Sequence, residues 1–318
     1  ISMMRPIDEP SGWSENIPQN APTAFQEVNF LGRLEEIYYY FDHKGDICAL
    51  FNINIRKNDF SEYVIYSSVS HNYGKKWGAP RRISPEDLSI RVVGTPIILT
   101  KGYFFGHIVV PVEDTNIARY LFLFSQDNGK SWNFSLCVEK DEDEDEPLIN
   151  RTDDQGLKNK FLHNDDGIVY PPIFSIIEGD NGIIHGICRF HNDSYLSTCS
   201  TKDLGTTWSG PQFISEIGLP DFKHFSISHV LHENNAKTML FGIERNENSL
   251  VLVVWLASRF EGPWERVWEN SHAIDAKTEV CLCSQDTKGK VHLFYNTSKT
   301  EIVHLWGDGS TFGYPPRI

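Results

Sequence analysis

No stretch of the chain approaches the roughly 18 apolar residues of a membrane-spanning helix, and the longest apolar run, Leu250 to Ala257, has only the length of a strand. Basic residues are in the minority, 29 Lys and Arg against 43 Asp and Glu, and the net charge of −14 argues against a nucleic-acid partner, because phosphate binding needs a basic surface. Six of those acids lie together from Asp141 to Glu146 and read as a solvated loop, which leaves an ordinary acidic surface elsewhere. Zinc-ribbon cysteine spacing is missing from the six cysteines. Cys281 and Cys283 would share one strand face as packed thiols, while Cys188 and Cys199 would stand opposite each other across a hairpin turning at Asp193-Ser194, as a disulfide or as two buried thiols. His229 and His232 are three apart and fall on opposite strand faces, so with His224 they make no metal-ligand pattern. Neither a metal nor a cofactor is expected. The chain also lacks a convincing amphipathic helix and any low-complexity linker, which points to one all-β domain over residues 1–318.

What the chain does have is a repeat. Ser125-Gln126-Asp127-Asn128-Gly129-Lys130-Ser131-Trp132 recurs as Thr201-Lys202-Asp203-Leu204-Gly205-Thr206-Thr207-Trp208, and more weakly as Ser70-His71-Asn72-Tyr73-Gly74-Lys75-Lys76-Trp77. A worn copy, Ser258-Arg259-Phe260-Glu261-Gly262-Pro263-Trp264, is one residue short and lacks the acid. In each good copy the hydroxyl and carboxylate can bond nearby backbone N–H groups, the glycine can take a positive φ, and the tryptophan can insert between sheets. The terminal tryptophans are 55, 76 and 56 residues apart. Such a period matches one four-stranded blade of a β-propeller, and the long interval is explained by an inserted acidic loop at 140–160.

Between the octets, short apolar strands alternate with polar turns. Residues 1–28, with Pro6, Pro10, Pro18 and Pro22, read as an irregular arm. The strand pattern then predicts Glu36–Phe41, Asp46–Asn54 and Tyr63–Ser68 in the first unit, and Thr95–Leu99, Tyr103–Val112 and Tyr120–Ser125 in the second. A third unit follows over 168–200, a fourth over 225–258, and a fifth, free of the octet, over 279–306. The arm and the chain ends would supply a sixth blade, giving a six-bladed propeller of four-stranded antiparallel blades.

Propellers place their sites at the central channel, so charged residues beside apolar strands carry the functional reading. Arg33, Arg189 and Arg245 fall at comparable points of three units and, if convergent, would match a carboxylate, which guanidinium binds in bidentate fashion. The octets resemble the Asp-box repeat of the sialidase (neuraminidase) superfamily. Arg33-Leu34-Glu35-Glu36-Ile37-Tyr38 is similar to that family's Arg-Ile-Pro opening, with Glu35 in place of proline, and Phe51 to Asp59 is similar to its strand that ends in an arginine, here Arg56, before an acid-bearing loop. The resemblance implies a sialidase-like propeller in which Arg33, Arg189 and Arg245 clamp the carboxylate of sialic acid or a related acidic sugar. It also implies that Asp59 is the general acid/base. The family's tyrosine nucleophile and its glutamate are absent from the matching places, where Thr278-Glu279-Val280-Cys281 and Tyr170-Pro171-Pro172-Ile173 stand. Glu113 is the substitute carboxylate, Tyr170 a channel-facing candidate, and Tyr295 a core residue.

The expected function is therefore an exo-glycosidase acting on a glycan substrate. The alternatives are a glycan-binding propeller without the nucleophile, or a lyase acting on a uronic acid. Four sequons, at Asn133, Asn150, Asn192 and Asn296, lean weakly towards an extracellular location.

Overall fold

The computed structural model describes residues 2–3, 17–18, 32–57, 60–72, 74–116, 119–135, 173–189, 196–209, 212–214, 225–233, 235–246, 249–260, 262–270, 281–285, 289–296 and 302–313. Nearly all of them are strand or turn. β1 (Ser2–Met3) and β2 (Ile17–Pro18) form a two-residue antiparallel pair. β3 (Gly32–Phe41), β4 (Ile47–Lys57), β5 (Phe60–Ser70) and β6 (Arg81–Arg82) make the first antiparallel sheet in chain order. In the second sheet, β7 (Ile90–Val92), β9 (Ile108–Asp114), β10 (Arg119–Ser125) and β11 (Asn133–Phe134) run side by side, and the short β8 (Ile97–Ile98) also pairs with β9. The third sheet orders β12 (Ile173–Glu178), β13 (Ile184–Arg189), β14 (Leu196–Thr201) and β15 (Gln212–Phe213). The fourth orders β16 (Phe225–His232), β17 (Asn235–Asn246), β18 (Ser249–Ala257) and β19 (Trp264–Glu269). The fifth orders β20 (Cys281–Gln285), β21 (Val291–Asn296), β22 (Ile302–Gly307) and β23 (Phe312–Gly313).

The chain divides into two compact units, Ile1–Ile184 with Ser200–Gly210, and His185–Cys199 with Pro211–Ile318. In the first unit, Cys48, Leu50 and Ile65 of the first sheet pack against Ile90, Val92, Val110 and Leu123 of the second. The opposite face of β4 is equally apolar, with Ala49, Phe51 and Ile53 packed around Trp77. A strand buried on both faces needs a near-continuous apolar run, and Ile47 to Ile53 supplies one, broken only by Asn52. In the second unit, Met239, Phe241, Leu252 and Val254 pack against Val291, Leu293 and Tyr295, so Tyr295 is a core residue as expected.

The octets fold alike. Ser125 Oγ accepts the Gly129 N–H at 2.8 Å, Asp127 Oδ1 accepts the Ser131 N–H at 2.8 Å, and the Ser131 hydroxyl donates to Asp127 Oδ2 at 2.6 Å. Thr201 and Asp203 make the same contacts to Gly205 and Thr207, and Ser70 and Asn72 make the backbone ones to Gly74 and Lys76. Gly129 at φ 81° and Gly205 at φ 87° take the left-handed conformation that the turn requires. Trp208 meets Phe122 of the second sheet edge-on at 5.3 Å. Ser131 holds the Asp127 carboxyl down to about 2, from 3.8. The turn's contribution is therefore complete above about pH 4 and is lost as pH falls towards 2. Asp127→Asn is expected to remove that acid dependence at little cost at pH 7, since Asn72 fills the same role in the first octet, whereas Asp127→Ala is expected to lower the melting temperature at pH 7 and to converge with the parent near pH 2. Thermal melts across pH 2 to 7 check both.

One expectation is corrected. Tyr103–Val112 is not one strand, because β9 begins only at Ile108 and residues 99–107 form a loop. Gly102 (φ 72°) and Gly106 (φ 84°) take left-handed conformations that a strand does not accommodate. The fifth sheet, free of the octet as expected, nevertheless carries an acid-centred turn just beyond β22. Asp308 Oδ1 accepts the N–H groups of Ser310 and Thr311, each at 2.9 Å, which holds its carboxyl well below the usual range. This turn is one residue shorter than the octet, and Phe312 takes the place of the tryptophan, packing edge-on against Trp268 at 5.3 Å.

Candidate functional site

The site is built at the strand ends where β3 begins, β4 ends and β9 ends. β3 carries one extra residue against β4, since Leu34 pairs with Ile53 and Glu36 already with Asn52. This bulge leaves Glu35 unpaired and presents Arg33, Glu35 and Glu36 to solvent. The Arg33 side chain makes no hydrogen bond or ion pair among the described residues. Glu35 accepts from Asn54 Nδ2 at 3.0 Å, and Glu36 accepts from Asn52 Nδ2 at 2.9 Å and from the Tyr38 hydroxyl at 3.4 Å.

The second sheet adds an ion pair. Arg91 on β7 and Glu113 on β9 are cross-strand partners, and Arg91 Nε donates to Glu113 Oε2 at 2.7 Å. The Arg91 guanidinium also lies over the Tyr63 ring at 5.6 Å from its centroid. Burial opposes the Arg91 charge, but Glu113 and Glu36 outweigh it, and its pKa is raised. Tyr120, opposite Glu113 on β10, points its hydroxyl at Glu113 Oε1 across 3.5 Å. Burial, reinforced by Glu113, pushes the Tyr120 phenol up to about 12, and burial with Glu36 pushes Tyr38 up further. Both phenols are therefore hydrogen-bond donors at neutral pH. Arg33, Arg91, Glu35, Glu36, Asn54 and Tyr63 present exposed or part-exposed polar groups that can grip the hydroxyls of a sugar, above a buried Asn52 that is committed to Val92 and Glu36.

The expected site residues fall into three groups. Arg33 and Glu113 are described in full, and Glu113 is committed to Arg91, with its side chain only 12% exposed. Arg56 lies near the end of β4, Arg189 at the end of β13 and Arg245 near the end of β17, but their side chains lie outside the described part of the structure. Asp59 and Tyr170 lie outside the described residues altogether. Asn58 and Asp59 join Lys57 to its strand partner Phe60, so β4 leads from Asn54 directly to the acid. The arginine positions are less equivalent than their sequence spacing implies. Arg33 opens the first strand of its sheet, whereas Arg189 and Arg245 close the second strands of theirs, which is the same strand end reached along a different strand.

Arg91, Asn52, Tyr38 and Tyr63 are additions that sequence reasoning missed. Asn52 had a visible signal, a lone amide inside an apolar run. Arg91 had none beyond its charge, because a three-residue strand carries no periodicity. Of the remaining candidates, Cys199 is a free buried thiol whose Sγ lies 3.8 Å from the Gly186 carbonyl. Among the described residues, no three His, Cys, Asp or Glu side chains gather where they could hold a metal ion.

The fold is that of the sialidase-like propellers, and the sialidase resemblance seen in the sequence holds at that level. No protein-family model matches the chain. Among solved structures, the intramolecular trans-sialidase from Ruminococcus gnavus, in complex with oseltamivir carboxylate, superposes with a TM-score of 0.51 at 16% identity, over 84% of this chain and 55% of that one. The NanB sialidase from Streptococcus pneumoniae gives 0.56 at 10% identity, over 85% and 53%. The α-L-arabinanase from Penicillium chrysogenum, complexed with arabinobiose, gives 0.53 at 15% identity, over 99% and 87%. The chain thus spans about half the length of the sialidase chains it matches. At these identities the likeness is one of fold.

Proposed function

We propose that the protein is an exo-acting glycoside hydrolase that removes a terminal acidic sugar, sialic acid or a relative, from glycoconjugates. In this reading Arg33, Arg189 and Arg245 hold the substrate carboxylate, Asp59 is the acid/base, and Arg56 and Tyr170 contact the sugar. Glu113 serves by holding Arg91. The repeated octets are Asp-boxes, and six blades close one propeller. The observation that carries the reading is Arg33, an exposed guanidinium with no partner among the described residues, beside the strand that leads to Asp59. An unpaired arginine at a sheet end in this fold is suited to bidentate capture of a carboxylate.

A second reading, glycan binding without cleavage, is favoured by the tyrosines. Tyr38 and Tyr120 are held in the protonated form, and neither is activated as a nucleophile. Turnover of a fluorogenic sialoside between pH 4 and 8 separates the two. The hydrolase reading expects release of the fluorophore, with kcat/KM falling about 10- to 100-fold in Arg33→Ala through loss of a charge-assisted pair. Glycan-array binding without any turnover selects the second reading.

A further inference from the structure

We propose that the loop 99–107 is an accessory glycan-binding site, in which the rings of Tyr103 and Phe105 stack on the sugar faces of a neutral polysaccharide chain. Tyr103 is 93% exposed and Phe105 67% exposed, and both stand on a loop fastened by hydrogen bonds along its length. Its neck is closed by the Leu99 N–H on the His107 carbonyl at 2.9 Å and the Gly106 N–H on the Leu99 carbonyl at 2.7 Å. Glu178 accepts the Thr100 and Lys101 N–H groups at 2.8 Å and the Thr100 hydroxyl at 2.6 Å. The Gly106 carbonyl is hydrogen-bonded to His43 Nε2 at 2.8 Å. Gly102 packs so closely on a second loop that an added Cβ would clash with the Asn181 carbonyl oxygen. Of the three consecutive aromatics only Phe104 turns in, meeting His107 edge-on at 5.3 Å.

A loop fastened at so many points has no need of two aromatic rings in water for its own stability. Rigid exposed rings are recognition elements, since they offer contact area with little conformational entropy to lose. The surroundings select the occupant. Lys101 is paired with Asp180 at 3.4 Å, and the Glu178 carboxylate caps the loop, so the rim is slightly acidic and suits neither an anionic membrane nor an acidic ligand. Two rings also fall well short of the roughly 800 Å² per partner that a stable protein interface needs, whereas one ring matches one sugar face.

The site is separate from the one above. β9 runs from this loop to Glu113, and its seven residues at about 3.3 Å each put roughly 20 Å between them. Resting on the glycan reading of the fold, the inference makes the loop a tether for the chain that bears the substrate.

Affinity electrophoresis through gels containing soluble neutral polysaccharides (arabinan, xyloglucan, galactomannan) tests it, alongside turnover of a small fluorogenic glycoside. The intact protein is expected to be retarded by at least one polysaccharide. Tyr103→Ala/Phe105→Ala is expected to bind about tenfold more weakly with an unchanged melting temperature, and Tyr103→Trp to be retarded like the parent. Small-substrate turnover should be the same in all three, so failure of the hydrolase reading would appear there and not in the gel. No retardation by any polysaccharide, equal retardation of the double variant, or ring-dependent flotation with phosphatidylcholine vesicles instead would overturn the proposal.

Discussion

Asp59→Ala is expected to lower turnover of a natural sialoside by about 10² to 10⁴-fold, the usual contribution of a positioned proton donor. Cleavage of a glycosidic bond to an alkyl alcohol leaves a strongly basic alkoxide unless a proton arrives as the bond breaks. Arg33 pairs with Asn54, three residues before the end of β4 at Lys57. In the proposed reading Asp59 protonates the leaving oxygen of a sugar whose carboxylate Arg33 holds. The effect should depend on the leaving group. An aryl sialoside, whose phenol departs readily, should lose much less than a sialyllactose, and comparing kcat/KM for the two substrates checks the role directly. Equal losses on both would assign Asp59 to binding instead of proton transfer.

Asn52→Leu is expected to be the most destabilising single substitution at the site. The Asn52 side chain is buried, at 1% exposure, and fastens the first sheet to the second through both polar groups of one residue. Its Oδ1 accepts the Val92 N–H at 2.8 Å, and its Nδ2 donates to the Val92 carbonyl at 2.8 Å and to Glu36 at 2.9 Å. Leucine keeps the branched heavy-atom shape but leaves the Val92 N–H and C=O unpaired away from water, at about 1 to 3 kcal/mol each. That corresponds to a fall of roughly 5 to 15 °C in melting temperature. Asn52→Asp discriminates further. Ionised, it places a second carboxylate against Glu36 and cannot donate to the Val92 carbonyl; protonated, it can. The aspartate variant should therefore recover towards the parent as pH falls from 7 to 4.5, while the leucine variant should not. Circular-dichroism melts at the two pH values measure this.

The parts of the molecule legible in the sequence are those held together locally. The octets could be read because Ser125, Asp127, Gly129 and Ser131 bond one another within four residues, and their spacing sets the unit period. Strands β4, β17 and β18 could be read because they are long and apolar. The cluster could not be read in the same way. Asn52 finds Val92 forty residues away, and Glu178 finds Thr100 across 78, contacts that arise from packing one sheet on the next. The loop 99–107 was misread for a related reason. Its aromatic run looks like a strand, and the glycines that break it act through a backbone φ that residue type alone only permits. Five sheets of four or more strands are present among the described residues, and the sixth expected from the arm and the chain ends remains part of the proposal.

The proposed convergence of Arg33, Arg189 and Arg245 on one carboxylate is the centre of the functional reading, and a crystal structure with 2,3-didehydro-2-deoxy-sialic acid tests it most directly. The account predicts the ligand carboxylate within hydrogen-bond distance of the Arg33, Arg189 and Arg245 guanidiniums, with Asp59 beside the anomeric carbon. A ligand bound elsewhere, or an Arg33 guanidinium turned away from the other two, would contradict it.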